Sequence, residues 1–394
     1  MKQRVIFTEH IDEALSEVLG GISIDKLFVL TDTTTHNVCL PLLMEHNTLG
    51  DFHEITIPSG ETAKQIDTLQ SVWRQLSEND ATRNSLFLCL GGGMICDLGG
   101  FAAATFKRGM RHINIPTTLL CMVDAAVGGK TGINFCGLKN EIGCFSEADC
   151  VVISTQFLAS LDQTNLLSGY AEMLKHALLS DEMMWSEHIN YDFSAPNMSD
   201  LLKMIQKSVE FKQQIVEQDP HEQGLRRALN FGHTIGHAIE SLRFEVSGLR
   251  FNASDIDQSR ETKPQISNLK SQTSNGEAAQ TSNLKRRSDS NLKPLSHGYS
   301  VAFGMISELY LSAVLCGFPT DRLRQTVRFV KENYGDAPIT CDDYDRLLEL
   351  MRHDKKNVSS KINFTLLENI GKIRINQTAN DALIREALDF LREA

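Results

Sequence analysis

The strongest constraint in this chain is a change in the period of its apolar residues part-way along. Up to residue 155, short β-rich runs (KLFVLTD, SLFLCLGGG, HINIPTT, CVVIST) alternate with helix-like segments such as ETAKQIDTLQSVWRQLSEND. Strands that alternate with helices imply crossover connections, so the pattern predicts a parallel sheet covered by helices. From Gln156 on, LLSGYAEMLKHALL, LLKMIQKSVEFKQQIVEQ, YSVAFGMISELYLSAVL and TANDALIREALDFLREA carry helical spacing, and strand signals are scarce. The expected fold is an α/β N-terminal domain with a Rossmann-like parallel sheet over 1–155 and a mainly α-helical domain over 156–394. A chain of 394 residues suits two cores rather than one, and a cleft between them is where a site is expected.

One stretch fits neither pattern. Between about 248 and 293 the chain is rich in Ser, Asn, Gln and Lys, and SNLK recurs at 267, 282 and 290. Such a segment cannot bury enough apolar surface to order itself, so it reads as a disordered surface insertion. Loop-closure entropy rises only by roughly 0.6 kcal/mol per doubling of length, so the fold can carry it. Its KRR at 285–287 reads as solvated linker.

Bulk composition excludes several classes. With 41% hydrophobic and 23% charged residues the chain has the balance of a globular protein. Neither a long uninterrupted apolar run nor an N-terminal leader pattern is present, so a cytoplasmic location is expected. The nine cysteines lack CxxC pairs, which argues for reduced, packed thiols, Cys96 and Cys144 among them. A formal net charge of −11 disfavours nucleic acid and anionic membranes as partners. An anionic substrate would need its own cluster of cations.

LFLCLGGGMICDLGGFAAATF places Gly91, Gly92 and Gly93 between an apolar strand and a helix. Backbone amides at such a helix start can approach a pyrophosphate without Cβ obstruction. The spacing is not GxGxxG, so the turn alone is weak evidence for a nucleotide. Asp32, ending KLFVLTD, and Glu61 and Lys64, in SGETAK, fall at further strand-to-helix junctions on the same carboxyl edge, where ligands of open α/β sheets collect.

In NFGHTIGHAIE, His233 and His237 are four residues apart, so a helix brings both imidazoles to one face, about 6 Å apart along the axis. GYAEMLKHALL places Glu172 and Lys175 three apart on another helix, and LSHGYSVAFG opens a later helix with His297. A carboxylate and two imidazoles make a catalytic type of zinc site, with a fourth position left for a substrate oxygen. Basic residues recur beside glycines or other motif residues: Arg108, Lys130, Lys139, Lys175, Lys212, Arg226, and Lys355 with Lys356. Each alone would be a solvated side chain; together they suit a substrate bearing both a carboxylate and a phosphate. GGKTG lacks P-loop spacing and does not indicate ATP.

Taken in order, GGGMICDLGGFAAATFKRG, PTTLLCMVDAAVGGKTGIN, GLKNEIG, GYAEMLK, LNFGHTIGHAIE, HG and HDKK resemble the 3-dehydroquinate synthase family, one of the sugar phosphate cyclases, from about Asp32 to Lys361. The resemblance implies NAD and a divalent metal, zinc or cobalt, as cofactors. It implies Glu172, His233 and His297 as metal ligands, with His237 beside them as an acid/base or supporting residue. Asp32, Glu61, Lys64, Gly92, Gly93, Asp97, Thr117, Thr118, Asp124, Lys130 and Lys139 would surround NAD. Arg108, Lys130, Asn140, Lys175, Lys212, Arg226, Asn230 and Lys356 would hold the substrate, 3-deoxy-D-arabino-heptulosonate 7-phosphate. A homodimer is the family expectation. Two positions depart from the pattern: Tyr299, where many members have glutamate, and Asn165, where an acidic residue is common. The competing readings are a polyol or glycerol dehydrogenase, a cyclase of another sugar phosphate, and a non-catalytic regulator keeping a nucleotide fold.

Overall fold

A computed structural model of the chain describes residues 3–45, 48–136, 138–246, 295–353 and 362–394. The expected insertion lies outside the described residues, as do Lys355 and Lys356.

Six strands form one parallel sheet: β1 (Arg4–Thr8), β2 (Leu27–Asp32), β3 (His53–Ile57), β4 (Leu86–Gly91), β5 (Arg111–Pro116) and, later in the chain, β8 (Cys150–Ser154). Their spatial order is β1-β8-β5-β4-β2-β3. Between β5 and β8 the chain makes an antiparallel hairpin, β6 (Lys130–Phe135) and β7 (Leu138–Phe145). The motifs VGGKTGIN and GLKNEIG therefore lie on a hairpin that the sequence pattern did not announce, because β7 is largely exposed and β6 buries only the adjacent Gly132 and Ile133, so neither strand has a buried alternating face.

Alternation along the strands explains how both faces of the sheet are covered. Leu27, Val29, Leu86, Leu88 and Leu90 face one apolar cluster, while Phe28, Leu30, Phe87 and Cys89 face another. Helices α1 (Ile11–Gly20), α2 (Thr33–Val38) and α3 (Leu40–Met44) cover the first face; α4 (Ile66–Glu78) and α5 (Gly93–Thr105) cover the second. The chain steps from β2 outward to β3 and then returns to β4 on the other side of β2. The helices that follow β2 and β4 thus diverge to opposite faces and open a crevice at the carboxyl ends of those strands.

The remainder is mainly helical: α6 (Gln163–Ser180), α7 (Glu182–Ile189), α8 (Met198–Gln218), α9 (His233–Val246), α10 (His297–Cys316), α11 (Thr320–Tyr334), α12 (Tyr344–Arg352) and α13 (Asp381–Glu393). Helix α10 is apolar nearly all round and sits at the centre of this half against α6, α9, α11 and α13. It is long and apolar enough to cross a membrane, yet two thirds of that stretch is buried inside the fold. Gly317, left-handed at φ 76°, ends it. An antiparallel pair, β9 (Asn363–Asn369) and β10 (Lys372–Thr378), lies against α10 and corrects the expectation of scarce strands here. Alternation in KIRINQT after the Gly371 turn is its sequence signature, with every second residue of β10 exposed.

His112 on β5 and His188 on α7 are among the described histidines that are buried with an Nε2 lacking a hydrogen-bond partner. Burial pushes each imidazole down to about 4. The unfolded chain then binds protons that the folded chain refuses, so their contribution is intact above about pH 6.5 and is lost as the pH falls toward about 4. Denaturant unfolding should show a loss on the order of 3 kcal/mol per imidazole across that window. His112→Asn should flatten the dependence relative to the unsubstituted chain.

Candidate active site

Three helices meet at one carboxylate. Glu172, on α6, is fully buried, and its Oε1 lies 3.4 Å from His233 Nε2 and 3.5 Å from His297 Nε2. Those two histidines are the first residues of α9 and α10. Glycines let the helices approach this closely. A Cβ on Gly298 would stand 1.9 Å from the Ser168 carbonyl oxygen of α6, and one on Gly304 would stand 2.0 Å from the Gly232 carbonyl oxygen that precedes α9. The HG and NFG motifs are therefore packing motifs.

Glu172 Oε2 accepts from Lys175 Nζ, whereas the buried Oε1 has no hydrogen-bond partner. Burial alone would raise this carboxyl, but Lys175, His233 and His297 hold it well below the usual carboxylate range. His233 Nδ1 is 3.0 Å from the Phe231 carbonyl, which accepts its proton and presents Nε2 to Glu172. Donor atoms at about 2.0–2.2 Å around a tetrahedral zinc stand about 3.3–3.6 Å apart, the separation found between Glu172 and each imidazole. A sealed oxygen without a partner, facing two imidazole nitrogens at that spacing, fits a divalent ion. His237 stays in the same pocket, its ring 5.1 Å from that of His233 and 5.7 Å from that of His297. Its ligand atoms also lie within 4.8 Å of those of the two histidines.

Glu240 carries a role that the sequence reading missed. Its Oε2 lies 3.2 Å from His297 Nδ1, and its Oε1 accepts from Lys139 Nζ at 2.7 Å. Burial would lower the His297 imidazole, yet Glu172 and Glu240 carry it up to about 10 in the absence of metal. Glu240 completes a His–x3–His–x2–Glu series that puts all three side chains on one face of α9, and this spacing could have revealed it. Through Lys139 it joins the hairpin of the sheet half to the metal-site helices.

At the sheet crevice, Gly92 is the N-cap of α5 and Gly93 its first residue. A Cβ on Gly92 would stand 3.2 Å from Thr118 Cγ2, and one on Gly93 3.2 Å from Ala125 Cβ, so the need for glycine arises from close approach. The Thr117 amide donates to the Gly91 carbonyl at 3.0 Å, and the Cys121 amide donates to Thr118 Oγ1 at 3.2 Å. Lys64, buried at the same edge, donates to Asp97 Oδ2 and to Asn140 Oδ1, each at 2.5 Å. Burial pushes Asp97 up to about 6 despite that lysine. Glu61 accepts from Asn134 Nδ2 at 2.8 Å. Asp32 caps α2, its Oδ1 accepting from the amides of Thr34 and Thr35 and from Ser59 Oγ.

The cations form two groups. Lys212 is buried and donates to Asp124, at 2.5 Å for Oδ1, on the π-helical turn Cys121–Ala125. Lys130 pairs with Glu222 Oε2, whose Oε1 accepts from Asn230 Nδ2 at 2.9 Å, and the Arg226 guanidinium donates to the Pro220 and Gly128 carbonyls. Asn140 joins the Lys64 side rather than this group. Arg108 stands apart: α5 starts at the crevice and runs thirteen residues away from it, roughly 20 Å, before Arg108 follows on a left-handed turn. The two departures are structural. Tyr299 packs edge-on against Tyr334, and Asn165 donates to Asp162 at the start of α6.

Two family models cover most of the chain. That for 3-dehydroquinate synthase N-terminal matches residues 54–168, and that for 3-dehydroquinate synthase C-terminal matches 169–247 and 287–357. A 3-dehydroquinate synthase of Parabacteroides distasonis is 46% identical over 393 residues, spanning 100% of this chain and 99% of that protein.

The chain belongs to the 3-dehydroquinate synthase family.

Solved structures of related enzymes share the fold of this family member. A 2-deoxy-scyllo-inosose synthase complexed with carbaglucose-6-phosphate, NAD+ and Co2+ superposes with a TM-score of 0.76 at 19% identity, covering 99% of this chain and 96% of its own. The 2-epi-5-epi-valiolone synthase of Streptomyces hygroscopicus subsp. jinggangensis, with NAD+ and Zn2+ bound, gives 0.72 at 21% identity, covering 100% and 97%.

Glu240→Gln should weaken zinc binding ten- to hundred-fold, read by competition with a chromophoric chelator. Gly298→Ala should push the start of α10 off α6 and remove stoichiometric zinc from a chain that keeps its far-UV circular dichroism; full metal content in that variant would contradict the packing argument.

Proposed function

We propose that the chain is a 3-dehydroquinate synthase, converting 3-deoxy-D-arabino-heptulosonate 7-phosphate to 3-dehydroquinate and inorganic phosphate, with NAD regenerated in each turnover. The observation that carries this reading is the sealed Glu172 oxygen facing His233 and His297, in an acidic chain of this family that nonetheless carries Lys130 and the buried Lys175, Lys212 and Arg226. The partner is a small anionic sugar acid phosphate, and the proposed assembly is a homodimer in the cytoplasm.

Glu172, His233 and His297 would hold the metal, and the Gly92–Gly93 turn with Asp97, Thr117, Thr118, Asp124 and Lys139 would hold NAD. When bound, these groups supply a Lewis acid that polarises a substrate hydroxyl and a reversible hydride acceptor. The chain itself supplies position and charge. Lys130, Lys212, Arg226 and Asn230 bind the carboxylate and phosphate ends and fix the flexible sugar chain in a reactive pose. His237, in the same pocket as His233 and His297, would take and return a hydroxyl proton, and the departing phosphate would leave toward the cations. Lys175, ion-paired with Glu172, balances the negative charge of the buried ligand set. Lys356, outside the described residues, belongs to the same proposal for the substrate; Arg108, at the far end of α5, is left out of this crevice.

A polyol dehydrogenase would leave the buried Lys212 and Arg226 without an anionic substrate to meet, and NADH would be its product. Phosphate release from the heptulosonate phosphate, assayed with NAD and with or without chelator, separates the readings. The expected result is chelator-sensitive phosphate release without net NADH. Accumulation of NADH from glycerol, or no phosphate release by the zinc-loaded chain, would exclude the proposal. His233→Ala should abolish turnover while the chain still binds NAD, as measured by calorimetry.

A further inference from the structure

Helix α9 begins without a cap of its own. The residue before His233 is Gly232, held at φ 78°, which offers no side chain to the first amides of the helix. Two of them, with the amide of Gly232 itself, are nevertheless met. Gly232 N donates to Glu308 Oε2 at 2.7 Å, and the Thr234 and Ile235 amides donate to Glu308 Oε1 at 3.1 and 3.3 Å. Glu308 is fully buried and lies on α10, eleven residues after His297. A cap is ordinarily a local residue; here a carboxylate from a neighbouring helix does the work.

The location matters because His233 is the first residue of α9. Aligned peptide dipoles place about half a positive charge at a helix N-terminus, an unfavourable neighbour for a divalent cation. A buried carboxylate on those amides offsets that charge and forms charge-assisted hydrogen bonds, which are stronger than neutral ones. Rotating or fraying the first turn of α9 would swing the His233 ring, whose Nδ1 is already tied to the Phe231 carbonyl within the same turn. The same helix thus brings His297 into the site and clamps the turn that carries His233. Gly304, packed against the Gly232 carbonyl, keeps α10 close enough for Glu308 to reach.

We propose that Glu308 is a positioning residue for the metal centre: its carboxylate caps α9 from α10 and holds His233 in ligand geometry. This rests on the assignment of Glu172, His233 and His297 as metal ligands.

The test uses the full-length chain stripped of metal and reloaded with zinc or cobalt. Glu308→Gln removes the charge at nearly constant shape, and Glu308→Asp keeps the charge on a shorter arm. Ser312→Ala is the control on the same helix: it removes the bonds from Ser312 Oγ to the Glu308 carbonyl and from the Leu367 amide to Ser312 Oγ, and leaves the carboxylate untouched. We expect Glu308→Gln to weaken zinc ten- to hundred-fold in chelator competition and to alter the visible spectrum of the cobalt-loaded protein. Glu308→Asp should fall between it and the unsubstituted chain, and Ser312→Ala should lower only the Tm of the metal-free form. If Glu308→Gln lowers that Tm while zinc affinity and the cobalt spectrum stay unchanged, Glu308 only supports the fold and the proposal is overturned. The unsubstituted chain gives a check independent of how the variants fold. Without metal, the Gly232, Thr234 and Ile235 amides should be protected from hydrogen exchange, and rapid exchange there would overturn the capping role. Failure of the unsubstituted chain to bind zinc would instead overturn the ligand assignment, and this proposal with it.

Discussion

A carboxylate sealed from water must have its charge met, and Glu172 imposes that requirement on the centre of this protein. One of its oxygens is met by Lys175; the other faces the Nε2 atoms of His233 and His297. Each partner comes from a different helix, so α6, α9 and α10 can hold only one mutual arrangement without leaving that charge unpaired. The arrangement is close because Gly232, Gly298 and Gly304 remove the Cβ atoms that would keep the backbones apart.

Around this centre the chain repeats one device, an acidic group linking elements that are distant in sequence. Glu240 joins His297 to Lys139 of the hairpin, Glu222 joins Lys130 to Asn230, Asp124 takes Lys212, and Glu308 takes the first amides of α9. The acidic excess of the whole chain is therefore not spread evenly, since several of these carboxylates sit among the cations of the site. Lys130 pairs with Glu222 in a partly exposed position, where a substrate anion can compete for it. In the Lys212 pair the lysine is the more deeply buried partner, its side chain 6% exposed against 34% for Asp124.

The sheet half contributes by topology. Because β3 and β4 flank β2, the connections leaving β2 and β4 pass to opposite faces, and the glycine turn, Asp32 and Thr117 all open on one edge. One apolar cluster runs from the lower face of that sheet through α6, α8 and α10, so the halves share a core across the seam. The seam is where Lys139 meets Glu240.

Much of this was legible in the residues alone, for a physical reason: periodicity and motif spacing are local. The alternation of Leu27 to Leu30 and of Leu86 to Leu90 encodes buried parallel strands. The spacing of His233, His237 and Glu240 encodes one helix face, and the order of the glycine, lysine and histidine motifs encodes the family. What the sequence could not determine are contacts made across long separations. The exposed hairpin β6–β7 and the pair β9–β10 have weak local patterns and are held by what they pack against. Asn140 reaches Lys64 rather than Lys130 or Arg226, and Arg108 falls at the far end of α5, because strand register and helix direction decide those distances. Glu308 looks like an ordinary glutamate in an apolar helix; only the packing of α10 against α9 puts it on the amides that precede and follow His233.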